Sequence, residues 1–164
     1  MKIITPSDFF QIFKNKHILL DTSVFIDAFL NPVRFGEFFN NLRAQETTLV
    51  SLDVVKTEFL KGAPTVEKYN QKKEFFDQIA DACLPITNET FINLYKLVQM
   101  YKEDGKSLSV TDLFLGATLM QYKGSLFLLT KNTTDFPTNI FNLESYINIS
   151  YTKGLHTYGV YNFA

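Results

Sequence analysis

The chain has 164 residues, near the commonest size of one folded unit, and the length predicts a single domain over residues 1–164. Hydrophobic residues make up 46% and charged residues 20%, which excludes a disordered chain, and seven glycines with five prolines exclude collagen-like and low-complexity classes. The formal net charge of −1 lacks the basic excess of a phosphate-tracking protein, so any contact with nucleic acid must come from local patches or bound metal.

Short apolar runs alternate with helical patterns along the chain. Met1 to Lys16 reads as a short added helix. Ile18-Leu19-Leu20 is a buried strand ending in Asp21-Thr22-Ser23, residues that suit a helix N-cap. Val24 to Phe39 then reads as helical with a break at Asn31-Pro32, because a residue before proline avoids the helical region. Thr48 to Ser51 is a second strand, followed by a short helix capped by Asp53 and ending before Gly62. Thr65 caps a helix with Val66, Tyr69, Phe76, Ile79 and Ala80 on one stripe, ending near Asp81. Cys83 to Ile86 is a third strand, which Pro85 assigns to an edge or a terminus. Thr87 or Asn88 caps a helix stopped at Gly105, and Asp112 to Tyr122 is the next helix, closing at Gly124. Ser125 to Thr130 is a fourth buried strand and Ile147 to Tyr151 a weaker fifth, after which Lys153 to Ala164 reads as a C-terminal extension. Continuous apolar strands separated by helices predict an α/β fold with a mostly parallel sheet covered on both faces and a phenylalanine-rich core.

In such a sheet ligands bind beyond the carboxyl ends of the strands. Asp21 follows the first strand, Glu58 lies in the helix after the second, Asp112 opens the helix before the fourth, and Asn132 and Asp135 follow the fourth. Carboxylates brought to about 4 Å repel by roughly 4 kcal/mol per pair at an effective dielectric near 20. Either some protonate or a hard divalent cation binds, and oxygen donors suit Mg²⁺ or Mn²⁺. His17 and His156 have no motif around them and Cys83 lies in an apolar run, which argues against zinc and against a Cys-His nucleophile. The local alternatives are plain: Asp21 and Ser23 as helix caps, Ser109-x-x-Asp112 as a capping box, Glu58 as a solvent-facing helix residue. Asp27, Asp53, Glu103 and Asp104 are assigned to caps, turns or solvent. Lys14, Lys16, Lys102, Lys106, Lys123 and Lys131 read equally as outer phosphate contacts and as solubilising lysines. A single cysteine and the lack of an N-terminal basic-then-apolar segment predict the cytoplasm, and no run approaches the roughly 18 apolar residues of a membrane span.

Five fragments, in order, resemble PIN-domain ribonucleases and are most similar to VapC-type toxins of toxin-antitoxin pairs. They are Leu19-Leu20-Asp21-Thr22-Ser23-Val24-Phe25-Ile26-Asp27, Glu58-Phe59-Leu60-Lys61-Gly62, Leu84-Pro85-Ile86-Thr87, the long stretch Gly105 to Thr118, and Leu128 to Phe136. The resemblance covers about residues 17 to 137. It implies a three-layer α/β/α sandwich with a central, mostly parallel sheet of four to five strands. Position by position it makes Asp21, Glu58 and Asp112 metal ligands for Mg²⁺ or Mn²⁺, with Asp135 a further catalytic acid. Asn132 stands where the family often has an acid, so the fourth position falls to Asn132 or Asp135. Thr22, Ser23, Thr130 and Asn132 would orient the acids or meet substrate. The implied activity is metal-dependent endoribonuclease cleavage of RNA. A cognate antitoxin and a homodimer are the implied partners, and no membrane is involved.

Two other enzyme classes fit less well. A haloacid-dehalogenase-type phosphatase needs a second aspartate where Ser23 stands, and a phosphate-receiver domain needs an acceptor aspartate after the third strand, where Pro85-Ile86-Thr87 offers none. The competing class is a PIN-like module that binds RNA or acts as a scaffold without turnover.

Overall fold

The structure is a computed structural model and describes residues 3–151 and 153–164. Its elements run β1 (Ile3–Ile4), α1 (Pro6–Ile12), β2 (His17–Leu20), α2 (Thr22–Leu30), α3 (Pro32–Ala44), β3 (Thr48–Ser51), α4 (Asp53–Lys61), α5 (Val66–Ile79), β4 (Ala82–Cys83), α6 (Asn88–Glu103), α7 (Val110–Tyr122), β5 (Leu126–Thr130), β6 (Asn142–Tyr151) and β7 (Gly154–Asn162). They form a three-layer α/β/α sandwich around one sheet in the order β1-β6-β7-β5-β2-β3-β4. Four of the pairings, β1 with β6, β2 with β3, β2 with β5 and β3 with β4, are parallel, whereas β7 runs antiparallel to both β5 and β6.

The sheet has seven strands where four to five were expected, and the difference lies at both ends of the chain. The N-terminal segment adds β1 as well as the expected helix, α1. The supposed C-terminal extension is β7, which sits between β5 and β6 and buries Tyr158, Val160 and Tyr161. Its nine residues gain cross-strand bonds on two sides, which no local pattern in the sequence reports. The weak fifth strand is also longer, running ten residues from Asn142.

Smaller shifts have local causes. The third strand is only Ala82–Cys83, and Pro85, with no backbone N–H, lies beyond it. Helix α4 is capped by Leu52, with Asp53 in its first turn. Helix α7 begins at Val110, two residues before Asp112, because Ser109 is its cap and accepts a hydrogen bond from the Asp112 N–H at 3.2 Å. The break at Asn31-Pro32 falls where expected, although α3 runs on to Ala44.

Most of the 17 phenylalanines are buried; the rings of Phe25 and Phe76 stack at 4.4 Å and join α2 to α5. Helices α6 and α7 meet at Gly116, where a Cβ would come within 2.5 Å of Leu97 Cδ2, so this contact needs the missing side chain. Strand β2 lies at the switch point of the topology, with β3 on one side and β5 on the other, where a parallel sheet leaves its crevice.

Candidate active site

The register of β2 against β5 sets the first contact of the site. Leu20 lies opposite Leu129, so the next residues, Asp21 and Thr130, emerge side by side at the carboxyl ends of the two strands. The Thr130 hydroxyl donates to Asp21 Oδ2 at 2.6 Å and the Ser23 hydroxyl to the same oxygen at 3.1 Å, while the Thr22 N–H donates to Oδ1 at 2.6 Å. Asp21 therefore is the cap of α2, as the local alternative held, and it also faces the crevice end of the sheet. Ser51 Oγ, at the end of β3, donates to the Leu20 carbonyl at 3.0 Å and fixes the third strand end beside it. The Thr22 hydroxyl is buried without a hydrogen-bond partner among the described residues.

Asp112 comes to the same place from α7. It reciprocates its cap: the Ser109 hydroxyl donates to Asp112 Oδ2 at 3.0 Å. Burial first, then the neighbouring charges of Asp21 and Asp135, push its carboxyl up to about 7, and Asp135 lies within hydrogen-bonding reach of it. Burial also raises the Asp21 carboxyl, against the pull of its three hydrogen bonds, with the Glu58 charge adding to the rise. Asp135 is held by the Asn132 side-chain amide, which donates to its Oδ2, and the Tyr101 hydroxyl donates to the Asp135 carbonyl at 2.5 Å. Asn132 thus acts on Asp135 directly, and its own N–H donates to Thr130 Oγ1 at 3.0 Å. Glu58 is exposed on α4, at the rim of a groove it lines with Val54, Thr57, Lys61, Ser109, Val110 and Thr111.

The fold therefore brings Asp21, Asp112 and Asp135 into electrostatic contact, with Thr22, Ser23, Thr130 and Asn132 around them and Glu58 at the edge. Among the described residues none of the four acids has a Lys, Arg or His at ion-pair distance. Nor do any three of them close onto one point tightly enough to form a ready coordination shell. The donor chemistry, all oxygen and surplus in negative charge, fits a hard divalent cation.

Asp27 corrects an expectation. In place of a cap, a turn or solvent it occupies a buried position, with 8% exposure, and is hydrogen-bonded by two residues, with the ring of a third close by. The Tyr158 hydroxyl donates to Asp27 Oδ2 at 2.6 Å, Lys131 Nζ lies 3.2 Å from the same oxygen, and His156 Nδ1 lies 3.4 Å from it. Lys131, one of the candidate phosphate contacts, has its ammonium in this cluster. The available signal was helical spacing: Val24, Asp27 and Ala28 fall on one stripe, which places a charge on the inward face of α2. Tyr101 carried the same signal, on the stripe of α6 with Leu94 and Val98, whereas His156 and Tyr158 carried none.

Comparison with known proteins follows the same line. The family model of the PIN domain matches residues 18–136. No curated protein matches the sequence. Among solved structures, the chain is similar to VapBC-1 from nontypeable Haemophilus influenzae, with 20% identity over 73% of this chain and 90% of that one and a TM-score of 0.58. It is also similar to VapBC2 from Rickettsia felis bound to a DNA fragment from their promoter, with 19% identity over 62% and 78% and a TM-score of 0.49. The first likeness is one of fold, and the profile match spans every element that carries an acid of the crevice. The chain belongs to the PIN domain family.

Proposed function

We propose that this chain is a Mg²⁺- or Mn²⁺-dependent endoribonuclease of the VapC kind. PIN domains are typically nucleases, which supports hydrolysis of a nucleic acid. The observation that carries the proposal is the convergence of Asp21, Asp112 and Asp135 from three separate stretches of chain, with no Lys, Arg or His of the described residues at ion-pair distance. Asp21, Glu58 and Asp112 are the residues that would hold the ion. When bound, such an ion lowers the pKa of a water ligand and offsets charge on a scissile phosphate.

The chain's own groups do the rest. Thr130, Ser23 and the Thr22 N–H keep the Asp21 carboxylate in one orientation, so little is lost in ordering it when a ligand arrives. Asn132 and Tyr101 hold Asp135 beside Asp112, and Asp112 or Asp21 would accept the proton of the attacking water. The groove lined by Val54, Glu58, Lys61 and Val110 offers a path with apolar and charged walls for a single-stranded RNA. Residues 1–164 act as one PIN-like domain, supported by the pairing of β7 with β5.

A cognate antitoxin covering the acids, a homodimeric state and a cytoplasmic location complete the proposal. They rest on the likeness to toxin-antitoxin complexes and on the single cysteine, Cys83. Among the described residues no helix is long and apolar enough to cross a membrane.

The test is cleavage of a mixed single-stranded RNA with Mg²⁺ or Mn²⁺, with EDTA, and with Asp21→Asn or Asp112→Asn. We expect cutting that needs the ion and falls at least about a hundredfold in either variant while both remain folded. RNA bound without cutting would replace the nuclease by a binding module. Loss of folding in both variants would return the acids to their role as helix caps.

A further inference from the structure

We propose that Asp27 is a positioning residue for Asp21, and that through Lys131, His156 and Tyr158 it makes the acid site depend on the β6–β7 hairpin. The inference rests on the nuclease reading for its consequence in metal binding, but its structural half stands apart from it.

Asp27 lies six residues beyond Asp21 on α2, about 9 Å along the helix axis. A buried carboxylate needs donors, and this one takes them from two other parts of the fold. Tyr158 reaches it from β7, and Lys131 from the residue that follows β5. Lys131 Nζ is also 3.0 Å from His156 Nδ1, which accepts from the ammonium when the ring is neutral with its proton on Nε2. The His156 ring in turn stacks on Tyr151 of β6 at 4.1 Å with a 9° tilt. Both strands of the hairpin thus hold the cluster together.

Lys131 joins the two aspartates. Its side chain is in the Asp27 cluster, while its backbone N–H donates to Ser23 Oγ at 3.2 Å, and Ser23 donates to Asp21. Its chain neighbours Thr130 and Asn132 are the residues that bond Asp21 and Asp135. Helix α2 is therefore fastened to segment 130–132 at two levels, through Asp21 and through Asp27. One attachment leaves a helix free to roll about its axis; two, separated by more than a turn, fix its rotation and with it the direction of the Asp21 carboxylate. The register of β7 on β5, with Thr130 opposite Gly159, is what sets Tyr158 beside this point. Tyr151, His156 and Tyr158 all lie outside residues 18–136, the span matched by the family model.

The experiment uses the full chain and the variants Tyr158→Phe, which removes one hydroxyl, Lys131→Met, which removes the ammonium, and Lys131→Arg, which keeps the charge. Amide hydrogen exchange by NMR on the metal-free protein reads the Thr22 and Lys131 N–H groups, with Leu94 and Leu97 of α6 as the reference. We expect exchange about five- to tenfold faster at Thr22 and Lys131 in Tyr158→Phe and Lys131→Met, no change at the α6 amides, and return to within about twofold in Lys131→Arg. Calorimetry should show the Mn²⁺ dissociation constant of the first two variants raised by about tenfold. Unchanged exchange at Thr22 and Lys131, or equal acceleration in α6, overturns the positioning role. A parent chain that neither binds Mn²⁺ nor cuts RNA overturns the nuclease reading instead, and the amide comparison still decides this one.

Discussion

Asp21 and Asp27 belong to the same helix, lie six residues apart and are both buried, at 4% and 8% exposure, but their surroundings are opposite. Asp27 is met by an ammonium and a phenol. Asp21 receives only neutral donors and meets the charges of two further carboxyls, Asp112 and Glu58. Burial of a carboxylate is thus resolved inside the protein at one position and left unresolved at the other. A fold that can neutralise an acid when it needs to, and does so one and a half turns away, has kept the second site short of positive charge, and a ligand is the natural means to supply it.

The largest effect that would sharpen this contrast is stabilisation by the ion itself. Mn²⁺ at about a hundred times its dissociation constant should add about 2.7 kcal/mol to the unfolding free energy. For a chain of this size that raises Tm by about 5 to 10 °C in a thermal scan. Asp21→Asn should abolish the shift, and Asp27→Asn should leave about half of it. The reverse pattern would break the comparison. Without metal the order inverts: urea unfolding should show Asp27→Asn less stable by about 1 to 3 kcal/mol, since hydrogen bonds to a charged acceptor are lost. Asp21→Asn should stay within about 1 kcal/mol of the parent, because the amide keeps an acceptor for the Thr22 N–H and relieves repulsion.

A further effect is in pH. The Asp112 carboxyl is raised in the folded protein to about 7 from an ordinary value near 4, so its protonated form is the one folding favours. Its contribution is fully present below about pH 4 and is lost as pH rises through about 7. Metal-free stability should therefore decline over that window, and Asp112→Asn should flatten the decline in melts taken from pH 4 to pH 8.

Asp21 was legible because an apolar strand followed directly by Asp can place it only at the carboxyl edge. Asp135 was less so, since it lies five residues beyond Thr130, the last residue of β5. Asp112 was legible twice over, as part of a capping box and as a candidate site residue; its carboxylate accepts from Ser109 and lies in the field of Asp21. Asp27 was not, because a charge six residues into a helix reads as solvent-facing unless the positions on either side are known to be buried. The hairpin was not legible for a different reason. Gly154 to Asn162 has no long apolar run, and its burial comes from pairing with β5, some 30 residues earlier in the chain, a contact that local periodicity cannot report. The same blindness hid the partners of Asp27, since Tyr158 and His156 meet it only after β7 has joined the sheet.

The rims of the sheet show one more consequence. Strand β4 has only two residues with Pro85 close behind, and at the opposite rim β1 contributes two among the described residues, while the longest strands, β6 and β7, lie inside. The β4 stub offers an incoming polypeptide very few free amide and carbonyl groups in a row, so growth by strand addition has little template on that rim, whereas among the described residues β1 covers only Tyr146 and Ile147 of β6. Of the two margins of this phenylalanine-rich sheet, the one beside β6 is therefore the more open to an added strand.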